Sequence, residues 1–405
     1  MKPKEILIKT SLLSIFLSFC ACGGGGGDNS TAVSTLPPSG QLVDSYVEGV
    51  DYTCADGTHS TTTQSGFFQC KKLPVTFAIG GIRLGQMTNI PIDKQIFPQD
   101  LLALSRDDIN NTNVIAMARF LQSCDDDNNT DNGILIQATL KEKFQNYDEN
   151  FNPENLYTYA YEANLTLIDE QTALIHLQNS LDFVNRVDAS TVPQYIKDAL
   201  LSPKNILNQT VKNTLSFMGN EERLAHDLYL NLYNYHLTTN SYEIKQLNNI
   251  ATNSETAHIQ TVQLLINKYI TNPDEFTNID LPELNYSNTD IEDMNMGTYD
   301  ISEIQDLYNT LYDKGIMSPQ DALEVGCMVE VTDVNDLLVD IAQAEENNDT
   351  DIATAFTFLQ DGSYNHYWAF DKGLKNMGIE EGCCSLGTEY CHPEYPQSER
   401  GSKRY

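Results

Sequence analysis

Glu255 and His258 stand three residues apart in the stretch "TNSETAH". That spacing lays both side chains on one face of a helix. Ile250, Ala251, Val262 and Leu265 flank that face, so a carboxylate and an imidazole are directed into an apolar interior. Three further helical stretches do the same. "SFMGNEERLAHDLYLNLY" carries Glu221 and Glu222. Met218, Ala225, Tyr229 and Leu232 share the Glu222 face, Phe217, Leu224 and Leu228 lie near Glu221, and helical phase alone does not separate the two. "ALEVGCMVEVTDVNDL" sets Glu330 and Asp333 three apart, and "FLQDGSYNHYWAF" places His366 among Phe358, Leu359 and Phe370.

A lone histidine on an apolar face is ordinarily a hydrogen-bonded core residue, and a charge buried without a partner is costly. Four helices that each bury an ionisable group call for a shared partner. A metal ion draws carboxylates and neutral imidazoles inward and offsets their desolvation. Glu combined with Glu-x-x-His in a bundle core is the pattern of two-metal carboxylate sites.

The elements that must position these residues follow from the pattern. The chain has 405 residues, enough for two or three domains. Its net charge of -33 argues against nucleic acid as a partner, because phosphates demand a basic footprint. After residue 205 long helical periods dominate, over about 206–235, 242–270, 318–345 and 351–377, with a shorter helix at 301–314. Ser318 and Pro319 read as the cap and first turn of the third, and Gly378 as the stop of the fourth. Four long helices and a short one predict an antiparallel bundle. Residues 41–85 alternate as strands in "QLVDSYVEGVDYTC", "SGFFQC" and "VTFAIGGIRLG". Helices are expected near Gln99, over 113–124 and over 173–187.

Lys2, Lys4 and Lys9 precede a short apolar run and then "FLSFCACGGGGGDNS". This start resembles a bacterial lipoprotein signal, which implies lipidation of Cys22 after Ala21. Cys20 follows bulky Phe19, a poorer fit to the position before a cut, and ordinary secretion is the alternative. Gly23 rather than Asp after Cys22 implies the outer membrane, with the protein facing periplasm or cell surface. Export makes disulfides plausible. A Cys54–Cys70 bridge would staple a hairpin, for about 3 kcal/mol. Cys124 reads as a small buried residue, and the tail cysteines Cys383, Cys384 and Cys391 are expected to tie to the bundle through Cys327.

Asp125, Asp127, Asn129 and Asp131 alternate like the first half of a calcium loop, but Ile136 stands where such a loop needs Glu and the glycine comes late, at Gly133. A solvated acidic turn that stops the preceding helix is the competing reading. No G-x-x-x-x-G-K-[ST] or G-x-S-x-G motif is present.

Residues 205–378 resemble the ferritin-like superfamily, and more closely a ferritin-like domain family of exported bacterial and archaeal proteins. The matching pieces are "EERLAHDLY", "IATNSETAH", "LYDKGIMSPQDALEVGCMVEVTD" and "LQDGSYNHYWAF". The resemblance selects Glu222, which is followed by Ala225 and Tyr229 at the family's spacing. It implies that Glu222, Glu255, His258, Glu330 and His366 bind metal, with iron the expected ion, Glu330 bridging and Tyr229 orienting a ligand. It also implies a ferroxidase or peroxidase type of chemistry. One carboxylate is missing: Ser363 occupies the place of a second Glu-x-x-His on the last helix, and Asp333 is a possible replacement. The segment with "VTFAIGGIRLG" and its cysteine pair resembles the N-terminal β modules of bacterial surface lipoproteins.

The expected architecture is therefore α+β and multidomain: a signal peptide (1–21), a flexible linker (22–40), a β-rich mixed domain (41–200), a ferritin-like helical bundle (201–378) and a cysteine-containing tail (379–405). The alternative function is a non-enzymatic surface lipoprotein whose β module binds a protein partner and whose bundle carries a degenerate or structural metal site.

Overall fold

The computed structural model describes residues 37–202, 204–269, 295–299 and 301–397. The signal segment with Cys20 and Cys22, and the loop holding Pro273 and Pro282, lie outside the described residues. The fold is α+β.

In "VTFAI" every second residue is buried, as a strand with one face on a core requires. Val75–Ile79 is the middle strand of a five-stranded sheet. It pairs antiparallel with Ile82–Met87 on one side and Asp51–Cys54 on the other. The turn between the first two is made at Gly80, whose φ of 58° lies in the left-handed region. Glu149–Asn150 and His59–Thr61 complete the edges. Two smaller sheets join Phe67–Gln69, Ser39–Leu42 and Gln95–Ile96, and Val47–Glu48 with Ile134–Leu135. A bridge between Cys54 and Cys70 closes the hairpin region. Phe68, Phe77, Phe120, Phe144 and Tyr159 fill the core beneath, with Cys124 buried and unbonded beside them.

The change of character near residue 200 falls inside a continuous core. Val43, Phe97, Leu177 and Leu181 from the first half pack with Leu215, Leu265, Phe356 and Leu359 from the second. The helix Glu170–Ala189 carries much of this contact.

Four long helical segments follow. Gln209–Thr239 starts at Asn208, whose side chain accepts the Val211 N–H at 3.1 Å. Pro319–Glu346 starts at Ser318, which accepts from Asp321 N at 3.1 Å. Thr350–Asn376 is followed by Gly378 at φ 93°. The stretch expected as one helix over 242–270 is instead three pieces: Lys245–Asn249, a π-turn over Ile250–Glu255, and Thr256–Tyr269. A π-turn holds one residue more than an α-turn. Side chains supply its carbonyls: Thr252 Oγ1 donates to Asn248 O at 2.8 Å and Asn253 Nδ2 to Asn249 O at 2.9 Å. The short helix Ser302–Gly315 packs on the outside.

Two apolar clusters share these helices. One contains Met218, Val262 and Leu359, the other Ala225, Ala251, Val329 and Phe370. The ionisable residues fall where the two meet. Cys327 bonds Cys383 and Cys384 bonds Cys391, so the tail is fastened against the Glu330 and His366 helices.

Candidate metal centre

Each helix delivers its group at this junction. Glu222, Glu255, His258 and Glu330 are 1–2% exposed, and His366 is 5% exposed. The π-turn ends at Glu255, so the extra residue sets the direction from which that carboxylate enters.

The groups form two triads with one member in common. His258 Nδ1 lies 2.9 Å from Glu222 Oε2 and 3.2 Å from Glu255 Oε2. His366 Nδ1 lies 3.0 Å from Glu255 Oε1 and 3.4 Å from Glu330 Oε2. Glu222–Glu255–His258 and Glu255–Glu330–His366 each bring three ligand atoms within 4.8 Å of one another. Glu255 presents one oxygen to each triad. Glu255 is thus the member common to both triads, while the family pattern implied a bridging role for Glu330. Glu330 belongs to one triad and accepts the Tyr229 hydroxyl at 2.5 Å, which orients it.

Charge and burial oppose each other throughout. Burial pushes the Glu222 and Glu330 carboxyls up to about 7, against the pull of His258 and His366. Burial acts on Glu255 in the same sense, but the imidazoles of His366 and His258 outweigh it and hold Glu255 well below the usual carboxylate range. Burial disfavours both imidazolium ions, yet the facing carboxylates raise His258 well above its ordinary value and His366 to about 10.

Two buried atoms have no hydrogen-bond partner: Glu222 Oε1 beside the triads, and His258 Nε2, which faces Gly362 on the other edge of the ring. Orphaned polar atoms at one site need an explanation. Carboxylate oxygens and imidazole nitrogens are the donor set of zinc, iron and manganese sites, and these residues fit a divalent ion in each triad.

Asp333 lies outside both triads. Its carboxylate takes the hydroxyl of Ser363, the residue in the place of the missing Glu. Burial, with Glu222 and Glu255 nearby, raises Asp333 well above its ordinary value. Beside the triads is a cavity of about 120 Å³ lined by Glu221, Leu224, Leu311, Met328, Asp333 and Tyr390 among others.

The spacing argument did not reveal Gly362. A Cβ built there would stand 2.3 Å from His258 Nε2, so only glycine lets the imidazole lie against the His366 helix. The bare dipeptide "DG" inside a helical pattern was the available signal.

The acidic loop gathers different residues from those the calcium pattern needs. Asp125, Asp126 and Asp127 cluster. Asp125 accepts from Asn129 N and Leu135 N, each at 2.9 Å, and Asp127 accepts from Asn129 N at 2.8 Å. Asn129 contributes its backbone N–H, and the Asp131 side chain lies outside the described residues. These are the bonds of a turn that ends a helix.

A family model described as "Uncharacterized protein domain (DUF2202)" matches residues 211–389. The uncharacterized protein MJ0754 of Methanocaldococcus jannaschii is 34% identical over 176 residues, which span 44% of this chain and 81% of the relative. The chain belongs to the DUF2202 family. A crystal structure of the hypothetical protein MJ0754 from Methanococcus jannaschii aligns at 32% identity and a TM-score of 0.35, covering 44% of this chain and 86% of that one. The DUF2202 segment holds both triads, Gly362 and every lining residue of the cavity except Tyr390, while the strand-rich half lies before it.

Proposed function

We propose that the DUF2202 segment of this protein is a ferritin-like four-helix bundle that holds two iron ions, in an exported lipoprotein anchored through Cys22. The observation that carries the metal reading is the pair of triads sharing Glu255. Glu222 and His258 would hold one ion, Glu330 and His366 the other, and Glu255 would span them. Bound iron would supply the one-electron chemistry of ferrous oxidation or peroxide reduction. Tyr229 would keep Glu330 in its binding rotamer, and the apolar walls around the triads would exclude bulk water and strengthen each ionic contact.

The anchor reading rests on "FCACGGGGG". Among the described residues no helix is long and apolar enough to cross a membrane.

A second reading has its own observation. Asp333 is engaged by Ser363 and the last helix lacks the second carboxylate. On that reading the protein binds metal without turnover, and its strand-rich half binds a protein partner.

The test is metal analysis of the purified soluble chain, followed by an anaerobic ferrous titration and exposure to oxygen or peroxide. The expected result is about two ions per chain, lost together with thermal stability in His258→Ala. A wild type that takes up no metal, with His258→Ala equally stable, rules the metal centre out. Two bound ions with no oxidation would select the second reading.

A further inference from the structure

Glu221 precedes Glu222 by one residue on the helix, and so points about 100° away from it. It faces the Glu330 helix instead of the triads. Its Oε2 is buried without a hydrogen-bond partner, and it lines the same cavity as Glu222, Glu330 and Asp333. Asp333, Asp336, Asp340 and Glu222 are its carboxylate neighbours.

Asp333, Asp336 and Asp340 recur at steps of three and four residues, which aligns them on one face. With a rise of 1.5 Å per residue, Asp340 stands about 15 Å along the helix from Glu330. Asp336 and Asp340 are half-buried. Among the described residues, no lysine or arginine forms an ion pair with Glu221, Asp333, Asp336 or Asp340. At the inner end stands Glu222, 2% exposed, which lines the cavity and has its Oε1 unpartnered.

Carboxylates gathered in this way, with no counter-ion, destabilise a fold unless a cation visits them. A row of one sign between low-dielectric walls also focuses potential and concentrates cations. Its oxygen-only donors bind a divalent ion more loosely than a site with imidazoles, so an ion held there exchanges readily.

We propose that Glu221, Asp333, Asp336 and Asp340 form a hand-off row that collects divalent cations at the surface and passes them to Glu222. This rests on the metal-centre reading above. The row would set how fast the centre fills and not how much it holds.

Cobalt(II) is a suitable probe, because its visible absorption reports entry into a nitrogen- and oxygen-donor site. Stopped-flow mixing would compare the wild type with Glu221→Gln, Asp340→Asn and the double variant. Thermal melts would confirm that each is folded, with half-exposed Asp340→Asn serving if Glu221→Gln is not. The expected result is unchanged final stoichiometry, with loading slowed at least tenfold in the double variant. Raised ionic strength should slow the wild type more than the double variant. Equal loading rates, or loss of a whole equivalent of cobalt in Asp340→Asn, overturn the hand-off row and leave the centre standing. A wild type that binds no cobalt overturns both.

Discussion

Gly362→Ala adds a single methyl group to a helix, where alanine is normally worth up to about 1 kcal/mol over glycine. Here the new carbon would sit 2.3 Å from His258 Nε2 and 2.4 Å from Cε1. An unstrained carbon–nitrogen contact needs about 3.4 Å, so the imidazole must retreat by about 1 Å. Its opposite edge already faces Glu222 Oε2 at 2.9 Å, and the Phe358 ring packs at 5.3 Å between centroids. Overpacking of this kind costs about 1–3 kcal/mol. Set against the helical gain, the metal-free chain should lose no more than about 2 kcal/mol. Metal binding should suffer more than this modest loss suggests, because displacing a supporting contact of a ligand typically costs 10–100-fold in affinity, about 1.4–2.7 kcal/mol. Calorimetric titration of cobalt(II) into both proteins, with melts of the metal-free forms, measures the two effects separately. Affinities that agree within twofold would refute the reasoning, since a ligand cannot be moved by about 1 Å without consequence.

Acidity should control uptake. Glu222 and Glu330 titrate near 7 in the metal-free protein, so cobalt affinity should rise steeply from pH 6 to 8 and binding should release protons. Over the same range the metal-free fold should weaken. A carboxyl raised in the folded state loses its advantage as pH climbs from about 4.5 to 7, and a histidine raised to about 10 loses its own between about 6.5 and 10. Metal-free melts at pH 6 and pH 9 check this, and a higher melting temperature at pH 9 would contradict it. Ser363→Glu places a second carboxylate against Asp333; the metal-free melting temperature should fall, and metal should restore more of it than in wild type. Cys22→Ala should move the protein from the membrane fraction to the soluble fraction, as read by fractionation and lipid mass spectrometry.

Much of the helical half can be read from spacing, because the physics there is local. Ser318–Pro319 and Gly378 mark helix ends through backbone needs confined to a few residues. Glu255 and His258 share a face because three residues nearly close a turn. The structure also gathers Glu222, Glu330 and His366, each of which stood out as an ionisable group in an apolar stripe. What spacing does not disclose depends on other helices. The π-turn over Ile250–Glu255 differs from an α-turn by one residue, and its sequence "IATNSE" satisfies either. Gly362 matters only because His258, distant in sequence, lies against it. The division of labour between Glu255 and Glu330 is set by how the helices pack, which no single stripe encodes. The core that runs across residue 200 is likewise invisible to a pattern that changes period there.

The bond between Cys327 and Cys383 reaches beyond fastening a tail. Cys327 lies one turn before Glu330 on the same helix, and the tail it secures carries Tyr390, a wall of the cavity. Tyr367 Oη donates to the carbonyl of Tyr390 at 2.9 Å and accepts the His392 N–H at 3.0 Å, and Trp368 Nε1 donates to Pro396 O at 3.1 Å, so hydrogen bonds and an aromatic cluster hold the wall together with that disulfide. The wall should reach its full fastening only after the chain meets an oxidant. Protein recovered from a reducing cytoplasm should hold this wall less firmly than the same polypeptide matured in an oxidising compartment, so the choice of expression compartment is itself an experimental variable.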